Sequence, residues 1–429
     1  MYAKSLSIYE FKCFQKAKLD LQYPGRKSAG TAALANINLI LGDNGGGKSS
    51  VLRALAIAVL APALLRSGFV PYRLVRRQAP GTPAIVHCLL KVIGKPDAHE
   101  SRAGLKSKLE LLARLDPAPR GNLDRIYLEH TPNSPIGPLL DDDFSAAFFV
   151  VGYGATRRVE TGDYSEGSAR RSRGLRYQRI AGLFEDHVAL RPLSAWLGRL
   201  QQRPERHAEA VSLIDRVLPE GIGFSGQWLA EDDQYAFDFE GVATPFTALS
   251  DGYKAFIGWV GDLIGHLADV APEGQALDGI SGIVLVDEID LHLHPAWQRE
   301  VVPLIARTFP RLQFVFSSHS PLVASSVDKE NIFVTDRAPN GTATLAQLDE
   351  HVHGQSVEHV LSARDDGSAP AQALDTLARL QEVHTPHAAC VRAFIALWHD
   401  APATARQGYQ ACLAYGFDPA LAPPALAGG

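Results

Sequence analysis

Cysteine is scarce in this 429-residue chain, and the four present (Cys13, Cys88, Cys390 and Cys412) are scattered, with no C-x-x-C pair. That argues against a disulfide framework and a cysteine-based zinc site, and suits a reducing compartment. Long apolar runs are missing too. The longest, Ala54 to Leu65, contains Pro62 and falls short of the roughly twenty residues that cross a bilayer. No signal-peptide core opens the chain, so a cytoplasmic protein with no membrane partner is expected. The charges nearly balance, at a net −5, so contact with nucleic acid or an anionic surface would need a local patch. No internal repeat of fixed period is visible. What remains is ordinary globular composition, 46% hydrophobic and 21% charged, in a chain long enough for more than one subdomain.

The most informative stretch is Gly42-Asp43-Asn44-Gly45-Gly46-Gly47-Lys48-Ser49, which reads G-x-x-x-x-G-K-S. An apolar run (Ile37, Leu39, Ile40, Leu41) precedes it as a buried strand, and a helix is predicted from Ser50 to about Ala61. That strand–loop–helix context gives the pattern a mechanism. Glycines let backbone N–H groups close around phosphate oxygens, and the helix N-terminus adds its dipole. Lys48 would reach the β/γ-phosphates of a nucleotide such as ATP, and the Ser49 hydroxyl would hold Mg²⁺.

A second acidic element, Ile283-Val284-Leu285-Val286-Asp287-Glu288, sets two carboxylates at the end of an apolar strand, where ligands bind in parallel α/β sheets. Asp287 suits Mg²⁺ binding beside Ser49. Glu288 suits activation of the water that attacks the γ-phosphate. Leu249-Ser250-Asp251-Gly252-Tyr253-Lys254 opens a helix, and Phe316-Ser317-Ser318-His319-Ser320-Pro321 ends a strand with an exposed histidine. Elsewhere, alternation predicts paired strands at Ser5–Tyr9 and Phe11–Phe14. Further strands are expected at Ile85–Val92, Leu109–Ala113, Ala146–Val151 and Phe314–Phe316. A helical pattern runs from about Leu183 to Leu218, a helix from about Ala296 to Thr308, and a hairpin turn at Pro339-Asn340-Gly341. The Arg-rich run from Arg157 to Arg179, with Arg158, Arg170, Arg171, Arg173 and Arg176, reads as an exposed loop.

In this order the motifs resemble those of ABC-type ATPases. Leu249–Lys254 is similar to the L-S-G-G-Q signature, in which serine, glycine and a helix N-terminus contact a γ-phosphate held by the other protomer. His319 stands where the switch histidine does. Phe11-Lys12-Cys13-Phe14 resembles the N-F-K-x-F start of SMC- and RecF-like ATPases. Asp287-Glu288-Ile289-Asp290-Leu291-His292-Leu293-His294-Pro295, with Trp297-Gln298, is similar to an extended D-E-x-E-x-H-L-H-P-x-W-Q. That motif belongs to a bacterial group holding the OLD proteins, the PtuA ATPase of Septu systems and retron-associated ATPases. Tyr153-Gly154-Ala155-Thr156-Arg157 resembles a Y-G-A-T-R segment of the same group. The resemblance puts His292 and His294 in the D-loop rather than on a metal. It departs from long-armed SMC proteins, since no sustained heptads separate the first two motifs. No glutamine is assigned to a Q-loop, and no second acidic constellation suggests a nuclease of OLD type within this chain.

The resemblance implies an α/β fold: an ABC-type P-loop ATPase head, a mixed sheet with flanking helices, carrying a helical insertion and a C-terminal helical tail. The expected divisions are an ATPase lobe at 1–156, the Arg-rich loop and helical insertion at 157–235, a second ATPase lobe at 236–350 and a helical region at 351–429. It implies a Mg²⁺-dependent ATPase, with catalytic Glu288 and His319 and metal-binding Ser49 and Asp287. Its nucleotide contacts would come from Gly42 through Ser50 and, in trans, from Ser250, Asp251 and Gly252. A homodimer or higher homo-oligomer follows, serving as the sensor of an anti-phage or DNA-surveillance system with a separate nuclease effector, for instance of HNH type. One alternative is a RecF-like repair clamp that binds DNA, with the Arg157–Arg179 run as its basic groove. A nucleotide-dependent scaffold of very slow turnover is another.

Overall fold

A computed structural model describes residues 1–27, 32–78, 84–105, 108–117, 122–128, 136–159, 173–338 and 341–348. The expected helical region 351–429, Arg170, Arg171 and the Pro339-Asn340 pair of the expected hairpin turn lie outside them.

The strands run in chain order as β1 (Tyr2–Phe11), β2 (Phe14–Asp20), β3 (Ile37–Gly42), β4 (Cys88–Lys95), β5 (Leu109–Asp116), β6 (Arg125–Leu128), β7 (Val150–Tyr153), β8 (Arg158–Val159) and β9 (Ala189–Leu190). There follow β10 (Ile222–Gly223), β11 (Trp228–Leu229), β12 (Gln234–Phe239), β13 (Val242–Pro245), β14 (Gly282–Val286), β15 (Leu312–Ser318), β16 (Ile332–Arg337) and β17 (Ala343–Gln347). Eleven of them form one sheet in the order β6-β5-β4-β1-β2-β17-β16-β3-β15-β14-β7. From β6 to β2 every pairing is antiparallel. From β16 through β3, β15 and β14 to β7 every pairing is parallel. The first and last parts of the described chain therefore build a single mixed sheet. β3, β14 and β15 are buried at every position, as continuous apolar runs in a parallel sheet must be.

Five helices matter for the site. Helix α1 (Lys48–Leu64) buries Val51, Leu52, Leu55 and Leu60 in the main core, and it starts two residues earlier than the sequence predicts because the phosphate-type loop runs straight into it. Helix α2 (Pro204–Arg216) and helix α3 (Asp251–Val270) follow. The predicted helix over 296–308 is two pieces, α4 (Pro295–Gln298) and α5 (Val301–Thr308), interrupted at Arg299 and Glu300. The helical pattern over 183–218 is realised from Leu193 onward but in pieces, Leu193–Trp196, Leu197–Gln202 and α2, with β9 ahead of them, since Pro192 and Pro204 each begin a new segment. The predicted strand from Ala146 begins only at Val150, after Phe148 adopts φ 51°.

Of the described arginines in the run, Arg158 is exposed and Arg173 half-buried, as the composition predicts, but the other three are not. Arg157, Arg176 and Arg179 are only 7%, 2% and 4% exposed. Arg176 donates to the carbonyls of Leu139, Leu140, Asp142, Ala147 and Phe148. The Arg179 guanidinium donates to the Asp143 carbonyl and lies over the Phe149 ring. A guanidinium has five donors in a rigid fork, so it can bind a cluster of carbonyls from the helical turn Ile136–Asp141 and the loop before β7. Composition alone cannot tell this use from a solvated basic patch.

Candidate functional site

The carboxyl ends of β3, β15, β14 and β7 lie side by side, because these strands are parallel neighbours. Each motif follows one of those ends. Gly42–Ser50 follows β3, Asp287 and Glu288 follow β14, His319 follows β15, and Gly154–Arg157 follows β7.

Between β3 and α1 the loop crowds the Cβ position at all four of its glycines, Gly42, Gly45, Gly46 and Gly47. Gly42 has φ 145°, and a Cβ there would fall 2.1 Å from Thr335 Oγ1. Gly47 has φ 99°, and a Cβ would meet Cys13 Sγ at 2.6 Å and the Phe14 ring at 2.8 Å. Asp43, Asn44 and Gly45 are exposed at the tip, and the Gly46 N–H closes the turn onto the Asp43 carbonyl at 3.0 Å. Lys48 donates from Nζ to the carbonyls of Gly42 (2.8 Å) and Asp43 (3.1 Å) and lies 2.7 Å from His319 Nε2. Burial lowers the Lys48 pKa, and the carboxylates of Asp287, Glu288, Asp43 and Asp290 counter that effect. Ser49 and Ser50 begin α1 and are half-buried.

On the acidic side, Ser317 organises the turn. Its hydroxyl donates to Asp287 Oδ1 and accepts the Glu288 N–H at 2.8 Å. Ser318 donates to Asp290 at 2.5 Å. Asp287 is 6% exposed, whereas the Glu288 side chain remains partly accessible, its Oε1 3.9 Å from His319 Nε2. Lys48, Asp287, Glu288 and His319 are thus brought together.

Ser250, Asp251 and Gly252 sit at the start of α3. Ser250 is exposed and makes no side-chain cap to its own helix, and Asp251 pairs with Lys254 at 3.0 Å. Gly252 faces the His292 turn: a Cβ would lie 2.4 Å from the His292 carbonyl oxygen. Tyr253 and Phe256 pack on Trp297 with ring centroids 5.3 and 4.5 Å apart. The residues after Glu288 are therefore the seat of the Ser250 helix. His294 accepts the Ala296 N–H as an N-cap. Gln298 ties Leu293 to Ser320, next to His319. Among the described residues no group of three or more His, Cys, Asp or Glu could hold a metal ion.

Two contacts went unnoticed in the sequence, although Arg157 stood out there as the end of Tyr153-Gly154-Ala155-Thr156-Arg157. Arg337, at the end of β16, reaches over the loop so closely that a Cβ on Gly45 would lie 2.2 Å from its Nη2. Arg157 donates to the carbonyls of both Asp287 (2.6 Å) and Glu288 (2.8 Å). Neither is signalled by local pattern, since each depends on strand order.

The donor set fits a nucleoside triphosphate with Mg²⁺. A tight glycine loop that a Cβ would obstruct, a lysine at its base and a helix N-terminus suit phosphate. The Asp287 carboxylate after β14 and the Ser49 hydroxyl in the first turn of α1 are donor types that suit Mg²⁺, which takes few protein ligands when phosphates supply the rest.

Comparisons with known proteins find relatives among ATPases. A 110-residue segment is 38% identical to "Retron Ec83 probable ATPase" of Escherichia coli, covering 24% of this chain and 20% of that protein. A segment of 85 residues is 48% identical to "Retron Vc95 probable ATPase" of Vibrio cholerae serotype O1 biovar El Tor, covering 20% and 16%. Over 366 residues the chain is 24% identical to "Septu protein PtuA" of Bacillus mycoides (strain KBAB4), covering 85% of this chain and 44% of the relative. The chain thus spans less than half the length of these curated relatives. Among solved structures it is similar to an SMC head bound to the C-winged helix domain of ScpA (16% identical, 81% of this chain, 98% of that one, TM-score 0.48). A further AAA-domain family matches residues 5–62. The family described as "AAA domain, putative AbiEii toxin, Type IV TA system" matches residues 37–325, which takes in every motif from the glycine loop to His319 and more than half of the sequence. The chain belongs to this AAA-domain family.

Proposed function

We propose that this chain binds and hydrolyses ATP with Mg²⁺, and that two copies pair head to tail to do so. The observation that carries the ATPase reading is the convergence of Lys48, Glu288 and His319 at one sheet edge, with His319 Nε2 2.7 Å from Lys48 Nζ and 3.9 Å from Glu288 Oε1. Lys48 would supply positive charge to the transferring phosphoryl group. Ser49 and Asp287 would hold Mg²⁺. Glu288 would take the proton of the attacking water, and His319 would hydrogen-bond the γ-phosphate. Gly42 through Ser50 would line the phosphates.

Pairing is supported by the start of α3. Ser250 is exposed and uncommitted to its own helix, and Gly252 spends its free face on His292. A 20-residue helix with an open N-terminus suits an anion, and the reading assigns it the γ-phosphate bound by a second copy, through Ser250, Asp251 and Gly252. Contacts made only in the paired, triphosphate state then shift an open–closed equilibrium, and hydrolysis releases it.

The similarity to the retron ATPases and Septu PtuA supports a sensor or regulatory subunit in an anti-phage defence system, acting through a separate nuclease. The RecF-like clamp keeps only part of its stated basic run, since Arg157, Arg176 and Arg179 are buried on carbonyls while Arg158 is exposed. Among the described residues no helix is long and apolar enough to cross a membrane. The decisive experiment measures ATP turnover and sedimentation of the full chain with and without ATP, for the unmodified protein and Glu288→Gln. No turnover by the unmodified protein sinks the ATPase reading. Equal self-association of Glu288→Gln with and without ATP sinks the pairing.

A further inference from the structure

We propose that Arg157 is a positioning residue that fixes the backbone turn carrying Glu288. The proposal rests on the ATPase reading above.

Glu288 has φ 48°, in the left-handed region that side-chain-bearing residues seldom occupy. Such a conformation persists only where the surroundings over-determine it. Here they do so from both sides. The Asp287 N–H donates to the Tyr153 carbonyl, the Glu288 N–H to Ser317 Oγ and the Ile289 N–H to the Ser317 carbonyl. The carbonyls of Asp287 and Glu288 lie past the end of β14. Arg157 donates to both, Nη1 to Asp287 and Nη2 to Glu288, and the Glu288 carbonyl also accepts the Leu291 N–H at 3.0 Å. One planar fork bonded to two successive carbonyls allows a narrow range of turns between them, which a lysine, with a single nitrogen, does not impose.

The guanidinium has no other use in the described structure. It forms no ion pair within the salt-bridge distance, its Nε has no hydrogen-bond partner, and the residue is 7% exposed. Burial drops its pKa to about 10, partly offset by the charges of Asp287, Asp290 and Glu288, so it stays protonated at neutral pH. It is well seated. β7 is the parallel neighbour of β14, and Gly154 packs against the Gly182 carbonyl with no room for a Cβ. The segment after β7 thus sets where Glu288 points, and Arg157 acts through that turn.

The test uses the full chain with Arg157→Lys and Arg157→Ala, reading ATP affinity, turnover and amide hydrogen exchange across residues 286–291. The expected result for both variants is ATP affinity within about twofold of the parent, since the glycine loop is untouched, and faster exchange at the turn. Their kcat should fall by about 100-fold, the lower end of what a general base supplies. Lysine should not rescue. In the Glu288→Gln background Arg157→Lys should lower turnover no further, because the two act through one step. Unchanged exchange, unchanged kcat, or a full independent loss in the Glu288→Gln background would each overturn the proposal. If the parent shows no turnover, the ATPase reading fails by itself, and the exchange experiment still decides whether Arg157 holds the turn. If Arg157→Ala does not fold, Arg157→Lys carries the test.

Discussion

The α-carbon of Gly252 presses on the backbone of His292, so that a single added methyl would lie 2.4 Å from the His292 carbonyl oxygen. The start of α3 and the turn after Glu288 are thus one packed unit, reinforced by Phe256 and Tyr253 on Trp297. Backbone cannot yield as a flexible side chain can. Gly252→Ala should therefore displace the helix start while leaving the glycine loop intact. ATP binding by titration should persist, and ATP-driven self-association should be lost. Self-association at the parental level would show that the contact has no bearing on pairing.

Removing the Lys48 charge tests the phosphate seat. Charge-assisted hydrogen bonds contribute roughly 1.5–3 kcal/mol each, so Lys48→Ala should weaken ATP binding by about 10- to 100-fold. Isothermal titration reads this directly, and unchanged affinity would refute the assigned seat.

Glu288→Gln keeps the shape and hydrogen-bonding reach of the side chain but cannot accept a proton as a base. Turnover should drop by about 10²- to 10⁴-fold with ATP affinity preserved. The variant should also accumulate as an ATP-bound pair in sedimentation. Wild-type turnover by this variant would remove Glu288 from the mechanism.

Mixed copies test sharing between protomers. Lys48→Ala and Ser250→Arg are each expected to be inactive alone. An equimolar mixture should recover part of the turnover, because one of its two composite sites is intact. A mixture as inactive as its parts would mean that Ser250 serves no partner.

Acid should loosen the junction between β7 and α3. Tyr153 donates to Asp262 at 3.0 Å, and His266 lies 3.2 Å from the same carboxylate. Burial, helped by Arg191, lowers the His266 pKa to about 4 against an ordinary 6.5. Asp262 is held below the usual carboxylate range: burial alone would raise it, and His266 and Arg191 outweigh that. The unfolded imidazole binds its proton first as pH falls, so this contribution is present above pH 6.5 and is lost between about 6.5 and 4. Thermal melts of the parent should fall across that window, and His266→Asn should flatten the slope there. An equal slope in the variant would assign the acid sensitivity elsewhere.

Local pattern sufficed for the glycine loop, the acidic strand end and the order of motifs, because each is written in contiguous residues whose spacing dictates strand, loop or helix. β3, β14 and β15 were legible as apolar runs for the same reason, and Ser250 as the residue just before α3. The break between α4 and α5 and the late start of β7 were not, since Arg299–Glu300 and Phe148 carry no strong local stop. Which strands neighbour each other is a property of the folded sheet. That arrangement brings Arg337 over Gly45, seats Gly252 on His292, and turns an arginine that composition assigns to solvent into the partner of the Asp287 and Glu288 carbonyls. Short-range chemistry lies in the sequence; a contact between Arg157 and Glu288, 131 residues apart, exists only once β7 and β14 lie side by side.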